Sequence, residues 1–157
     1  MIWYKDDELI IEFDKEPSVT MSYPMPCYDE CKNREIDKKP FLNRENLEVK
    51  ITTQKPVGIL LDRKTYKFII PAGYTWDGAT IPRFFWRFIG PNTSPEFLIP
   101  SMIHDVLCEN HSYIDNDRYL STIILERLLY CSGVGSFKRW MMKHSVDNFQ
   151  KFKGWGK

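Results

Sequence analysis

SMIHDVLCENH, residues 101–111, is the stretch on which our prediction of the fold depends. Its apolar residues are typical of a short buried helix. Within that helix the sequence places His104 and Asp105 side by side, and Cys108 and His111 follow at helical spacing. A polar pair among apolar neighbours needs a reason, because burying an unpartnered polar group is costly. The pair therefore either carries chemistry or holds a neighbouring loop in place.

The whole chain has the size and composition of a single globular domain. Its 157 residues can bury a sizeable core, and 15% of them are aromatic. The net charge of +1 gives no electrostatic case for nucleic-acid binding, although residues 138–157 are locally basic. The first residues, MIWYKDDELIIEF, contain acids where a secretory signal needs an apolar run, and no stretch approaches the ~20 apolar residues of a membrane span. We expect a protein without a secretory signal peptide.

The four cysteines are expected to be reduced thiols, as in a cytosolic protein. Cys27 and Cys31 have a spacing that occurs in some zinc sites. A second ligand pair with matching spacing is missing from the sequence, so a plain polar loop is favoured over a metal site.

Strand patterns occupy the first 95 residues and helical patterns the rest. Strands are predicted at residues 9–13, 47–52, 58–61 and 66–70, with a hairpin turn at 62–65 and a proline-rich surface excursion at 17–40. Helices are predicted at residues 96–109, 115–131 (with Asp115 as N-cap) and 137–149, before a tail at 151–157. In the second helix Leu120, Ile124, Leu128 and Cys131 form one apolar stripe, and Asp117 is expected on the same inward side. This order predicts an α+β fold, in which a small antiparallel sheet from about residue 8 to 75 packs against a layer of three helices from 96 to 150.

The loop between sheet and helices, residues 71–86, is the least ordinary segment of the chain. Gly73 and Gly78 permit backbone geometries denied to other residues, and Pro82 fixes the chain before an aromatic cluster. Asp77 lies between Trp76 and Gly78, a carboxylate in a tight turn. Such a carboxylate accepts nearby amide hydrogens, binds a metal ion or orients a histidine such as His104.

Two motifs in tandem carry a resemblance to a known family. The segment AGYTWDGATIPR, residues 72–83, followed by HDVL at 104–107, resembles the phage and prophage family called domain of unknown function 1353. The resemblance covers about residues 57–125 and implies a phage or prophage origin and an α+β fold, but no established activity. A phage origin in turn implies a protein of the host cytoplasm or of a virion. The chain departs from the family pattern at Thr80, where serine is usual, and at Cys108, where tyrosine is common.

The sequence predicts one polar cluster at the seam between sheet and helices. Asp77, His104, Asp105 and Asp117 each lie in an apolar or tight-turn setting, where an isolated polar group costs about 1–3 kcal/mol. Three carboxylates near one imidazole repel one another unless a cation joins them. Arg83 is the favoured cation, in a structural cluster with Gly73, Gly78 and Pro82, and a divalent ion is the alternative.

A metal-assisted hydrolase is the catalytic interpretation of this cluster. By analogy with phospholipase A2, His104 is the general base, and Asp105 and Asp77 bind calcium together with loop carbonyls. Asp117, or alternatively Asp77, orients the histidine. A weaker version binds zinc through His104, Cys108 and His111.

The favoured interpretation is non-catalytic. In it the polar pair locks sheet to helices in a small rigid phage protein, a virion, tail or accessory component whose partners are other phage proteins. Aromatic residues expected at the surface, such as Trp3, Tyr4 and Trp155, would serve such packing.

Overall fold

The computed structural model describes residues 1–21, 41–76 and 95–155. Within these ranges antiparallel strands occupy the N-terminal part and three helices the C-terminal part, which confirms the α+β prediction. Cys27, Cys31 and most of the predicted surface excursion lie outside the described residues.

Seven strands precede the helices in the described part of the chain. They are β1 (Ile2–Lys5), β2 (Leu9–Phe13), β3 (Val19–Met21), β4 (Phe41–Asn43), β5 (Leu47–Val57), β6 (Leu60–Ile70) and β7 (Thr75–Trp76). The main sheet has the order β1-β2-β5-β6, and a smaller sheet has the order β3-β4-β7. All neighbours are antiparallel. The predicted antiparallel sheet is thus divided into two sheets in the structure. The sequence did not reveal the smaller one, because β3, β4 and β7 have only two or three residues each and are too short to show an alternating pattern.

The hairpin of β5 and β6 turns earlier than predicted. Val57 pairs with Leu60, so the turn consists of Gly58 and Ile59 rather than residues 62–65. Gly58 has a φ of +66°, which suits the first position of a two-residue hairpin turn. Residues 62–65, which the sequence predicted to be the turn, are part of β6, and all four are exposed.

The distal half of this hairpin projects from the main sheet, and we call residues 55–64 the arm. The last pairing between β2 and β5 is Leu9 with Thr53, so beyond that point the ribbon has only two strands. Every residue of the arm is exposed.

The three helices are α1 (Leu98–Glu109), α2 (Arg118–Cys131) and α3 (Ser136–Phe152). A single 3₁₀ turn, Pro95–Phe97, leads into α1, and Pro100 lies in its first turn, where proline is tolerated. The predicted N-cap of α2, Asp115, was wrong. Asp115 and Asn116 have left-handed φ values of 56° and 60°, and the N-cap is Asp117.

The main core lies between the large sheet and the first two helices. Alternate residues of β2, β5 and β6 face it, and one face each of α1 and α2 closes it. A second cluster lies between α2 and α3. Its members are Phe97, Leu125, Leu129, Val134, Met141, Met142 and Val146. No helix in the described part of the chain is both long and apolar enough to cross a membrane.

The buried side chain of Asn43 joins the two sheets. Its Nδ2 donates to the carbonyl oxygens of Ile70 at 3.2 Å and Pro71 at 3.0 Å. Its backbone exchanges hydrogen bonds of 2.8 Å with Gly73 and Tyr74. Gly73 has a φ of +92°, a region that favours glycine. This network fixes the turn that leads into β7.

The last described residue, Trp155, packs against the loop before α2 and the first residue of that helix. Trp155 is only 6% exposed, and its indole stacks on His111 with ring centroids 3.9 Å apart. Trp155 Nε1 donates to the carbonyl of Asn116 at 3.1 Å, and Arg118 donates to the carbonyl of Trp155 at 3.1 Å. The expectation that Trp155 is exposed was wrong, because the loop before α2 provides it with a stacking surface and a hydrogen-bond acceptor.

Candidate functional site

Trp76 brings the end of β7 against the first turns of α1. Its side chain is 1% exposed, and Nε1 donates to Ser101 Oγ at 3.0 Å. Ser101 in turn donates to the carbonyl of Leu98 at 3.0 Å. A buried indole N–H needs such an acceptor. The bond joins the last described residue of the sheet region to a residue one helical turn before His104.

His104 lies inside the protein, on the buried face of α1. The residue is 6% exposed, and Nδ1 lies 3.4 Å from Cys108 Sγ, one helical turn later. Burial lowers the pKa of His104 to about 4, against the opposing effect of the Asp147 carboxylate on α3. The imidazole is therefore neutral at physiological pH.

Cys108 is a protonated thiol in this setting. Burial raises the pKa of Cys108 to about 12, and the nearby Asp105 carboxylate acts in the same direction. A cysteine activated for nucleophilic attack has a lowered pKa, which it owes to nearby positive charge. Cys108 and His104 thus form a neutral pair rather than a thiolate–imidazolium pair.

Asp105 belongs to an acidic edge of α1 that faces β7. Tyr74 Oη donates to Glu109 Oε2 at 3.2 Å, and its ring stacks on Trp76 with centroids 6.0 Å apart. Burial, Glu109 and Asp105 all raise the pKa of Tyr74. Asp105 is partly exposed, so it borders the seam while His104 lies beneath the surface.

Asp117 does not occupy the inward position that the sequence suggested. It is exposed, and Oδ1 accepts from the backbone N–H of Leu120 at 3.0 Å, the geometry of an N-cap. The expected burial was wrong because α2 begins at Arg118, which places Asp117 before the helix rather than on its inner stripe. A catalytic role for Asp117 stays a prediction.

Asp117 instead lines a cleft between the base of the arm and the first turns of α2. The cleft has a volume of about 520 Å³. Tyr66, Leu120 and Ile123 give it apolar walls, and Arg127 adds a positive charge. His104 is not among its lining residues. The two residues proposed as a catalytic pair thus have different surroundings.

The zinc trio predicted on one helix face is not assembled. The helix ends at Glu109, and His111 starts a separate 3₁₀ turn, His111–Ile114, whose histidine stacks on Trp155. Among residues 1–21, 41–76 and 95–155, no group of three or more His, Cys, Asp or Glu side chains is placed to hold a metal ion.

Several predicted site residues lie outside the described ranges. They are Asp77, Gly78, Pro82 and Arg83. The cluster of Asp77, His104 and Asp105, and its neutralisation by Arg83 or by a divalent ion, therefore stay predictions.

Sequence reasoning missed a partly buried ionic network between α2 and α3. Arg118 Nε donates to Asp147 Oδ1 at 2.9 Å, and Thr122 Oγ1 donates to the same oxygen at 3.1 Å. These contacts join α2 to α3. Arg118 and Thr122 are four residues apart, so the sequence shows that they share a face of α2, but it does not show that Asp147 meets them.

Comparisons with known proteins identify a family without a known activity. A 58-residue segment of the chain is 38% identical to "Uncharacterized protein y4jT" of Sinorhizobium fredii (strain NBRC 101917 / NGR234). The match covers 37% of this chain and 17% of that relative, so the chain spans a small part of the relative's length. No solved structure gives a significant match. Residues 56–146, more than half of the chain, match the family described as "Protein of unknown function (DUF1353)", and the chain therefore belongs to that family.

Proposed function

We propose that this chain is a non-catalytic accessory or virion-associated protein, encoded by a phage or prophage, that acts by assembling with other phage proteins. The observation that supports this proposal best is the burial of His104, which is 6% exposed and has its imidazole against the thiol of Cys108. In this view His104 and Cys108 help to hold α1 in the core. The phage origin rests on the resemblance of the tandem motifs.

The protonation states of the pair also favour a structural role. A general base works best when its pKa lies near the working pH, and His104, with a pKa of about 4, is a weak base. A thiol with a pKa of about 12 is a poor nucleophile at neutral pH. Two neutral side chains in contact are what a core requires, since they avoid the cost of a buried charge.

Replacing His104 by glutamine separates the structural role from a catalytic one. Unfolding by urea gives the stability of the variant, and the infectivity of the phage that carries the gene reports function. The matched control is Leu129→Ala, a core change in the second cluster, away from His104. We expect infectivity to follow the stability of both variants in the same way. A fully folded His104→Gln protein whose phage is not infectious would overturn the proposal in favour of a hydrolase.

Metal addition tests the rival chemistry directly. If Asp105 binds a divalent ion, calcium or zinc raises the melting temperature through linkage, and Asp105→Asn abolishes the increase. If Arg83 neutralises the carboxylates instead, neither metals nor chelators change the melting temperature, and Arg83→Met destabilises the fold severely. We expect the second result. A metal-dependent increase that Asp105→Asn removes would favour the metal-assisted hydrolase.

A further inference from the structure

The tip of the arm exposes a compact set of aliphatic side chains. Ile59 is fully exposed, Leu60 is 71% exposed, Val57 61% and Leu61 58%. Pro56 precedes them and pairs with Leu61. Contiguous exposed apolar residues of this kind mark sites of interaction rather than ordinary surface.

These side chains surround the end of the ribbon instead of forming one flat face. Val57 and Leu60 are a cross-strand pair, so their side chains share one face of the hairpin. The next pair, Pro56 and Leu61, lies on the opposite face, because alternate residues of a strand point in opposite directions. Ile59 lies in the turn beyond both pairs. A partner surface pressed against one face would leave half of the tip in water, whereas an apolar medium around the tip would cover all of it.

A polar and mainly positive collar follows the apolar tip. Lys55 pairs with Asp62 and Gln54 with Arg63. Lys64, opposite Thr53, lies 3.8 Å from the Asp115 carboxylate, so Lys55 and Arg63 are the two cations that the collar directs to a partner. The apolar part is two residue pairs and a turn long, roughly 7 Å at ~3.3 Å per residue. That depth falls within the ~5–10 Å to which interfacial elements enter the boundary between headgroups and acyl chains. Cations at this level meet the phosphates of anionic lipids.

The backbone of the tip also suits an apolar surrounding. Unpaired N–H groups at a sheet edge are costly in an apolar medium. Pro56, near the end of β5, has no N–H, so it removes one such donor from the part of the ribbon that would enter the lipid.

We propose that the tip of the arm, residues 56–61, docks this protein on a lipid surface that contains anionic headgroups, with Lys55 and Arg63 contacting the phosphates. The tip enters the surface end-on and the domain stays in water. This inference goes beyond the proposed function and does not depend on it, since no residue of the His104 region takes part.

Co-sedimentation of the full chain with vesicles tests the proposal. The vesicles are phosphatidylcholine alone, or an equal mixture of phosphatidylcholine and phosphatidylglycerol. We expect binding to the mixed vesicles, and at least about tenfold weaker binding to phosphatidylcholine alone, because each cation near an anionic surface contributes roughly fivefold to the binding constant. Replacing Lys55 and Arg63 together by glutamine removes this difference between the two vesicles, whereas Lys64→Gln, which removes the ion pair with Asp115, leaves it in place.

The double variant Ile59→Asp with Leu60→Asp tests the apolar part and abolishes binding to both vesicles. The matched control is the double variant Ile69→Asp with Phe137→Asp, which adds the same two carboxylates at residues that are 57% and 60% exposed and lie outside the arm, and it leaves binding unaltered. Circular dichroism confirms that each variant is folded.

Three results would overturn the proposal. They are a native protein that ignores both vesicles, a tip variant that binds as well as the native chain, and a native dimer that the tip variant converts to a monomer. The last result would assign the tip to self-association. None of them bears on the infectivity test of His104.

Discussion

Acidification should destabilise this protein through His104 before its carboxylates are protonated. In the unfolded chain the imidazole titrates with the ordinary pKa of 6.5, whereas in the folded chain burial lowers the pKa of His104 to about 4. Between these values only the unfolded chain gains the proton. The stabilising contribution is therefore fully present above pH 6.5 and is lost as the pH falls towards 4.

The size of the effect follows from the two pKa values. A difference from 6.5 to about 4, at 1.36 kcal/mol for each pH unit, corresponds to roughly 3 kcal/mol once the folded imidazole is also protonated. At pH 5 the expected loss relative to pH 7.5 is about 2 kcal/mol by the same linkage relation. For a chain of this length that loss lowers the melting temperature by about 4–8 °C.

Urea unfolding at a series of pH values from 7.5 to 4.5 measures this contribution. The His104→Gln variant lacks the titrating group, so its free energy of unfolding should fall by about 2 kcal/mol less than that of the native chain between pH 7.5 and 5. The matched control is His144→Gln, which removes an exposed imidazole that packs 4.8 Å from the ring of Trp140 on α3. That control should keep the pH dependence of the native chain. Identical pH dependence in the native chain and in His104→Gln would refute the assignment of His104 as a buried neutral residue.

Two further predictions concern helix ends and helix contacts. Asp117→Ala removes the N-cap of α2 and should lower the free energy of unfolding by about 1 kcal/mol. Asp115→Asn weakens an exposed ion pair with Lys64 and keeps an acceptor for the hydroxyl of Tyr66, so it should change that free energy by less than about 0.5 kcal/mol. Equal effects of the two changes would argue against the cap. Arg118→Met removes the guanidinium that pairs with the largely buried Asp147, and it should lower the free energy of unfolding by about 3 kcal/mol. The control Lys50→Met removes an exposed pair with Glu12, and it should lower the free energy of unfolding by less than about 1 kcal/mol. Thermal or urea unfolding measures both series. A small loss for Arg118→Met would show that Lys151, 4.0 Å from Asp147, is a sufficient partner for this carboxylate.

The parts of the fold that sequence could predict are those with a sustained period. The alternation in residues 47–52 predicted the central strand β5, and the stripe that contains Leu120, Ile124 and Leu128 predicted the buried face of α2. Both patterns extend over several residues and report on burial directly. The α+β order followed from them.

The parts that sequence could not predict depend on contacts between distant residues. The smaller sheet pairs β4 with β7, which are strands of three and two residues. This pairing depends on the hydrogen bond from Asn43 to the carbonyl of Ile70 at the end of β6, a contact between residues far apart in the sequence. The start of α2 was misplaced because Asp115 is an equally good capping residue by type, and only its left-handed φ excludes it. Trp155 was misread since its partners, His111 and Asn116, lie about forty residues away.

The candidate site was predicted only in part, because sequence spacing indicates contacts within a helix but not contacts between distant segments. The spacing of His104 and Cys108 places them on one helix face, and the structure puts them in contact. The inward position of Asp117 was inferred from a helix that begins three residues too early, and this error carried over into the proposed catalytic pair. A local pattern thus identified a contact within one helix, but it could not establish a contact between two helices.

The contacts of Asn43 have a consequence for the order in which the chain folds. Pairing β4 with β7 closes a long loop, and loop closure is slow and entropically costly when the intervening chain is unfolded. That loop contains the whole hairpin of β5 and β6, a local structure of the kind that forms in about 1–10 μs. Once the hairpin has formed, the pairing of Leu47 with Ile70 brings the two ends of the loop close together. Only the few residues between Asn43 and Leu47 then separate the Asn43 amide from its acceptor, the carbonyl of Ile70. The long hairpin therefore acts during folding as a template for the smaller sheet, whatever its arm contacts afterwards.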